Sequence, residues 1–150
     1  MIARRFALAT FVAAGALAIA GCGMMDKMTG SMSVPLSGQN EVPPNASTGS
    51  GTAKLDLDGT TLKWTVTYSG TTGPVTAGHF HGPAAAGANA GVVVPFTGPM
   101  ASPIVGQTTL SQAQIDQLKQ GLWYVNLHTA ANPGGEIRGQ ITRAQSSNGY

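Results

Sequence analysis

From Val34 onward, apolar and polar residues alternate with period two. In "TAKLDLDGTTLKWTVTY", Ala53, Leu55 and Leu57 fall on one side, with Lys54, Asp56 and Asp58 on the other. Past a glycine, Leu62, Trp64, Val66 and Tyr68 fall on one side and Lys63, Thr65 and Thr67 on the other. That period belongs to a strand with one face on a core, so the stretch predicts two adjacent strands. Asp58-Gly59 between them predicts a type I′ hairpin turn, in which both central residues take positive φ. Further strands are expected over 76–81, 92–96, 104–109, 122–128 and 136–142, with Gly and Pro in nearly every gap. Such a succession predicts an all-β fold, an antiparallel, Greek-key-like β-sandwich. One short helix near 112–120 is expected within it. Ser111 and Gln114 form a capping-box pattern, Ile115 and Leu118 would face the sheet, and Gly121 supplies the stop.

The N-terminal "MIARRFALATFVAAGALAIAGC" departs from this pattern. Arg4 and Arg5 precede an apolar run from Phe6 to Ala20 that is too short to span a bilayer comfortably. The boundary "IAGC" resembles the lipobox of bacterial lipoproteins, whose cysteine is lipidated and becomes the new N-terminus. Cys22 is the chain's single cysteine and stands at the required place; the competing reading is an ordinary secretory signal with an incidental cysteine. The expected organisation is a lipoprotein signal peptide over 1–21, a Met-rich tether over 22–33, the domain over 34–142 and a tail over 143–150. A lipid at Cys22 would make the membrane the partner and the bacterial cell envelope the location. Gly23, where Asp would favour retention at the inner membrane, points to the outer membrane, with periplasmic or surface exposure left open. Met24, Met25, Met28 and Met32 in the tether are soft thioethers that suit Cu(I), against the plainer reading of a low-complexity linker.

Charge narrows the function classes. Eight Lys and Arg stand against six Asp and Glu, and two of the eight, Arg4 and Arg5, lie in the signal. The remainder is balanced, which gives no electrostatic case for nucleic acid. There is no GxSxG elbow and no phosphate loop, and few carboxylates remain for general acid–base work. No protein partner is indicated.

The candidate chemistry lies in the three histidines. In "AGHFHGPA", His79 and His81 are two apart on a strand and so face the same way, with Phe80 opposite. His128 closes the strand "LWYVNLH". Three neutral imidazoles with an open position suit copper, or zinc as the alternative. The competing reading has each histidine half-buried and hydrogen-bonded to nearby backbone as part of the scaffold. Asn126 shares a face with His128 and is placed to orient it from the second shell. Glu136 and Arg138, also two apart, suggest a surface ion pair; the functional alternative has Arg138 steering an anion toward the metal. Of Trp123 and Tyr124, one is expected in the core and one outside it. "NEVPPN" (40–45) reads as a rigid turn.

Three stretches carry a family resemblance: "LSGQNEVPP" (36–44), "AGHFHGPAAAGANAGVVVPF" (77–96) and "LSQAQIDQLKQGLWYVNLHTAANPGGEIRGQI" (110–141). Together they resemble a CHRD domain, the module named from chordin and common in bacterial secreted proteins. The resemblance implies an extracytoplasmic β-sandwich and no particular reaction. A weaker resemblance is to Cu/Zn superoxide dismutase, which also sets an HxH pair, a later copper-ligand histidine and an arginine in this order. Here His79, His81, His128 and Arg138 match that order, without a bridging histidine, a zinc subsite or a disulfide. Three functions follow as expectations: an envelope binding module that coordinates copper or zinc, a copper redox enzyme of dismutase type, or a structural or adhesive surface domain without metal.

Overall fold

The structure, a computed structural model, describes residues 30–142. The signal segment, Cys22, Met24, Met25, Met28 and the tail after Thr142 lie outside the described residues. Eight strands occupy β1 Gly30–Ser37, β2 Ser50–Asp58, β3 Thr61–Ser69, β4 Val75–His81, β5 Val92–Pro95, β6 Ile104–Thr109, β7 Trp123–Thr129 and β8 Ile137–Ile141. One helix, α1, spans Gln112–Lys119, and a 3-10 turn spans Gly38–Asn40. The expected all-β fold with a single short helix is what forms. Among the described residues, no helix is long and apolar enough to cross a membrane.

The strands run antiparallel in the order β5-β4-β7-β8-β1-β2-β3-β6. Between β8 and β1 the ladder is a single residue pair, Ser37 opposite Arg138, whereas every other junction pairs over several residues. The sheet thus divides there into two four-stranded halves, and their inner faces meet. Trp64 of β3 lies edge-on to Phe80 of β4 with ring centroids 5.3 Å apart, and it stacks on Phe96 at 5.2 Å. Around these rings pack Leu55, Leu62 and Val66 from one half and Val125, Leu127 and Ile137 from the other, all buried. Each such side chain contributes about 1.5–3 kcal/mol by leaving water. The period-two reading of β2 and β3 therefore holds residue by residue, with Leu55 paired to Trp64 and Ala53 to Val66.

The helix forms as its caps dictate. The Ser111 hydroxyl accepts from the Gln114 backbone N–H while the Gln114 side chain accepts from the Ser111 N–H, and Ile115 and Leu118 are buried. Two expectations need correction. The domain begins before Val34, because Gly30–Ser33 pair with Lys54–Leu57 as the first half of β1 and Met32 packs against the core. The alternation does extend there, with Met32 half-buried between exposed Ser31 and Ser33, but the Met-rich composition of 24–32 masks it. The β2–β3 turn centres on Gly59-Thr60, since Asp58 pairs with Thr61. Among the described residues no non-glycine takes positive φ and Gly59 takes 59°. Positive φ at the first central position alone is the pattern of a type II′ turn, not type I′.

Candidate metal centre

β4 and β7 are far apart in sequence and adjacent in the sheet. Their register sets His79 opposite Asn126, His81 opposite Tyr124 and Ala77 opposite His128. Phe80, Val125 and Leu127 point inward and are fully buried. Parity then turns His79, His81, Tyr124, Asn126 and His128 onto the outer face. β8 continues that face, with Arg138 beside Asn126 and Gln140 beside Tyr124.

This outer face is roofed. The segment from Gly82 to Gly91 folds back over it and closes on itself through a Gly82 N–H to Gly91 carbonyl bond of 3.2 Å. Arg138 donates to the Asn89 side-chain oxygen at 2.8 Å and the Ala88 carbonyl at 2.7 Å, and Gln140 donates to the Ala84 carbonyl at 3.0 Å. Asn89 in turn donates to the Val42 carbonyl at 2.9 Å. The Tyr124 ring stacks on His81 with centroids 4.8 Å apart and carries the Arg138 guanidinium 3.4 Å from its centre. Polar side chains that would otherwise be solvated are therefore enclosed.

The three histidines meet. Nδ1 of His79 lies 3.1 Å from Nε2 of His128, and one ring nitrogen from each of the three lies within 4.8 Å of the others. Two of the rings have their tautomers set by backbone carbonyls, which only accept. Nδ1 of His81 donates to the Ala90 carbonyl at 3.0 Å and Nδ1 of His128 to the Pro133 carbonyl at 2.9 Å. Nε2 of each ring then carries the lone pair, and that of His128 lies within reach of the Nδ1–H of His79. Nε2 of His81 is buried and has no hydrogen-bond partner. Burial, together with the neighbouring imidazoles, holds the pKa of His79 below its ordinary value. Burial also lowers that of His81, against the opposing effect of its bond to Ala90. Both rings are thus kept in the neutral form that binds metal. With metal–nitrogen bonds of about 2.0–2.1 Å, ligand nitrogens at a tetrahedral angle stand about 3.3 Å apart. The His79–His128 separation matches that spacing, and His81 needs a modest inward adjustment.

The remaining candidates fall as follows. Asn126 contacts His128, its Oδ1 standing 3.0 Å from Nε2. Trp123 is in the core and Tyr124 lies under the roof. Glu136 and Arg138 are not a surface ion pair: both are buried, with separate partners. Glu136 accepts from Ser47, the Thr72 backbone and hydroxyl, Thr129 and Asn132. Burial pushes its carboxyl up, but these hydrogen bonds outweigh burial and hold its pKa at about 2. Through Thr129 and Asn132 it orders the turn that presents the Pro133 carbonyl to His128. Arg138 is occupied by the roof segment. Strand parity carries no signal for the roof itself, because alternation alone leaves the outer face in water.

Glu41 is a buried residue that the turn reading of 40–45 passed over. It is 6% exposed, Oε1 has no hydrogen-bond partner of good geometry, and burial pushes its pKa up to about 7 against the opposing pull of Arg138 and Asn126. A lone carboxylate inside "LSGQNEVPP", one of the three family-like stretches, was the available signal.

A model of the CHRD domain family matches residues 32–141. No curated protein and no solved structure gives a significant match.

Proposed function

The chain belongs to the CHRD domain family, and from that premise we propose that it is a lipid-anchored cell-envelope protein whose domain binds one copper ion, or zinc as second choice, through His79, His81 and His128. The observation that carries this reading is the unpartnered, buried Nε2 of His81 in a cluster of three imidazoles. A scaffold histidine in an enclosed site would satisfy both ring nitrogens, since an unmet buried polar atom costs about 1–3 kcal/mol. A metal ion supplies the missing partner. Backbone carbonyls behind His81 and His128 fix the rings as the second shell of a metal site does, and imidazole favours copper near the top of the divalent series.

The test is a Cu(II) and Zn(II) titration of the protein from Gly23 onward, which keeps all of β1, with single and triple His→Ala variants alongside. His81→Ala or His128→Ala should remove most of the affinity. Equal binding by the parent and the triple variant would end the metal reading. Protons compete for the same lone pairs, and the lowered pKa of His79 and His81 should carry binding to a lower pH than the ordinary value of 6.5 allows. Superoxide turnover by the copper-loaded form would move the protein from binding module to enzyme. The anchor has its own test: Cys22→Ser should release the protein from membranes, and unchanged membrane association would remove the lipoprotein reading.

A further inference from the structure

The geometry points to Asn126 as a fourth ligand, its side-chain oxygen completing a three-nitrogen, one-oxygen donor set, with Glu41 as the positioning residue that keeps the amide turned toward the metal. The inference rests on the three-histidine reading. Asn126 is buried, sits directly opposite His79 in the β4–β7 ladder and holds Oδ1 3.0 Å from Nε2 of His128. Such a distance ordinarily marks an N–H···O bond. For neutral His128 it does not, because the Pro133 carbonyl draws the ring proton to Nδ1. The carbonyl oxygen and the nitrogen lone pair repel at that distance; the Nδ1–H of His79, 3.1 Å away, can occupy the lone pair when no metal is bound, and a cation would draw the oxygen and both nitrogens together as donors. Nε2 of His81 brings a further lone pair to the same place. A cation at this point turns the repulsion into ligation, and an oxygen donor beside three imidazoles suits Cu(II) or Zn(II).

Turning the Asn126 amide over would relieve the conflict without a metal, since its NH2 would then donate to His128. Glu41 opposes that turn. Both its Oε1 and Nδ2 of Asn126 crowd Gly135: a Cβ there would lie 2.5 Å from the first and 2.8 Å from the second. With the amide turned over, oxygen would face oxygen where the Asn126 amide meets the Glu41 carboxyl. Gly135, with φ of 134°, keeps the gap between the two side chains free of any side chain of its own.

The experiment is Cu(II) binding to the full chain, read by affinity and by electron paramagnetic resonance. Asn126→Leu keeps the bulk and removes the oxygen; it should weaken binding about tenfold or more and shift the copper spectrum. The exchanged pair Glu41→Gln with Asn126→Asp keeps an oxygen on the metal and a donor-to-carboxylate contact with the roles reversed, so it should bind with near-parent affinity. Glu41→Gln alone lets the amide turn over and should fall between the two. A folded Asn126→Leu with parent affinity and spectrum would overturn the fourth ligand, as would an exchanged pair that loses copper as fully as the leucine variant. If Asn126→Leu does not fold, the exchanged pair and Glu41→Gln decide. Binding that survives in the triple His→Ala variant would instead refute the three-histidine site, so the two failures are distinguishable.

Discussion

The outer faces of the two half-sheets follow one alternation rule and end in opposite environments. On the β1-β2-β3-β6 half, the residues between core positions include Lys54, Asp56, Lys63 and Thr67, all exposed, and the half-buried Thr65. On the β5-β4-β7-β8 half, the equivalent positions hold His81, Tyr124, Asn126 and Arg138, which are buried, and His79, His128 and Gln140, which are half-buried. On the first half, water satisfies any polar group, so identity matters little. On the second, each polar atom must find a partner among protein, water or ligand, and Nε2 of His81 and Oε1 of Gln140 find none among the protein atoms. The roof formed by residues 82–91 makes the difference, and it is held by side chains it covers.

Substitutions across the two faces test that contrast. The largest stability effect is expected from Arg138→Ala, which strands the Ala88 carbonyl and the Asn89 side-chain oxygen. Each lost charge-assisted bond costs about 1.5–3 kcal/mol, which a lowered urea midpoint would register. If Arg138→Ala cost no more than Lys63→Ala, the roof would not be holding its half-sheet.

Metal comes next. A ligand that binds only the folded state adds about 2.7 kcal/mol at a free concentration 100 times its Kd. Copper should therefore raise the melting temperature of the parent and leave that of the triple His→Ala variant unchanged.

The two buried carboxyls of the loops bordering this half should give pH effects of opposite sign. Glu136 is held at about 2, below its ordinary 4.5. Its contribution is complete above about pH 4.5 and is lost as pH falls through about 2. Glu41 is raised to about 7, so its contribution is present below about pH 4.5 and is lost as pH rises through about 7. Denaturation midpoints across pH should show Glu136→Gln flattening the acid limb and Glu41→Gln flattening the limb between about 4.5 and 7; the reverse assignment would contradict the two environments. The smallest effect belongs to the exposed face: Lys54→Ala should leave both stability and metal affinity at parent values.

Much of the fold was legible in the sequence. The inward set of β2 and β3, the helix with its capping box and the β6 bounds 104–109 all follow from local chemistry and appear as expected. The errors arose where local signals are weak or ambiguous. At Ser31–Ser33 one serine–methionine–serine alternation is submerged in a Met-rich run, and the dipeptide Asp58-Gly59 is compatible with more than one hairpin frame. Glu136 and Arg138, two apart in sequence, do not pair with each other, because spacing along a strand says nothing of the loops that supply their partners.

The sequence by itself determined that His79 and His81 share one side of a strand, with Phe80 on the other, because the backbone pleat imposes that parity on any strand. Only the tertiary structure decided that His128 stands 3.1 Å from His79, that Asn126 and Glu41 lie beside the cluster, and that this face is closed over. Parity is fixed by bonds between adjacent residues. The β4–β7 register and the roof are fixed by ladders and hydrogen bonds between residues tens of positions apart, which form only when the inner faces of both half-sheets pack together.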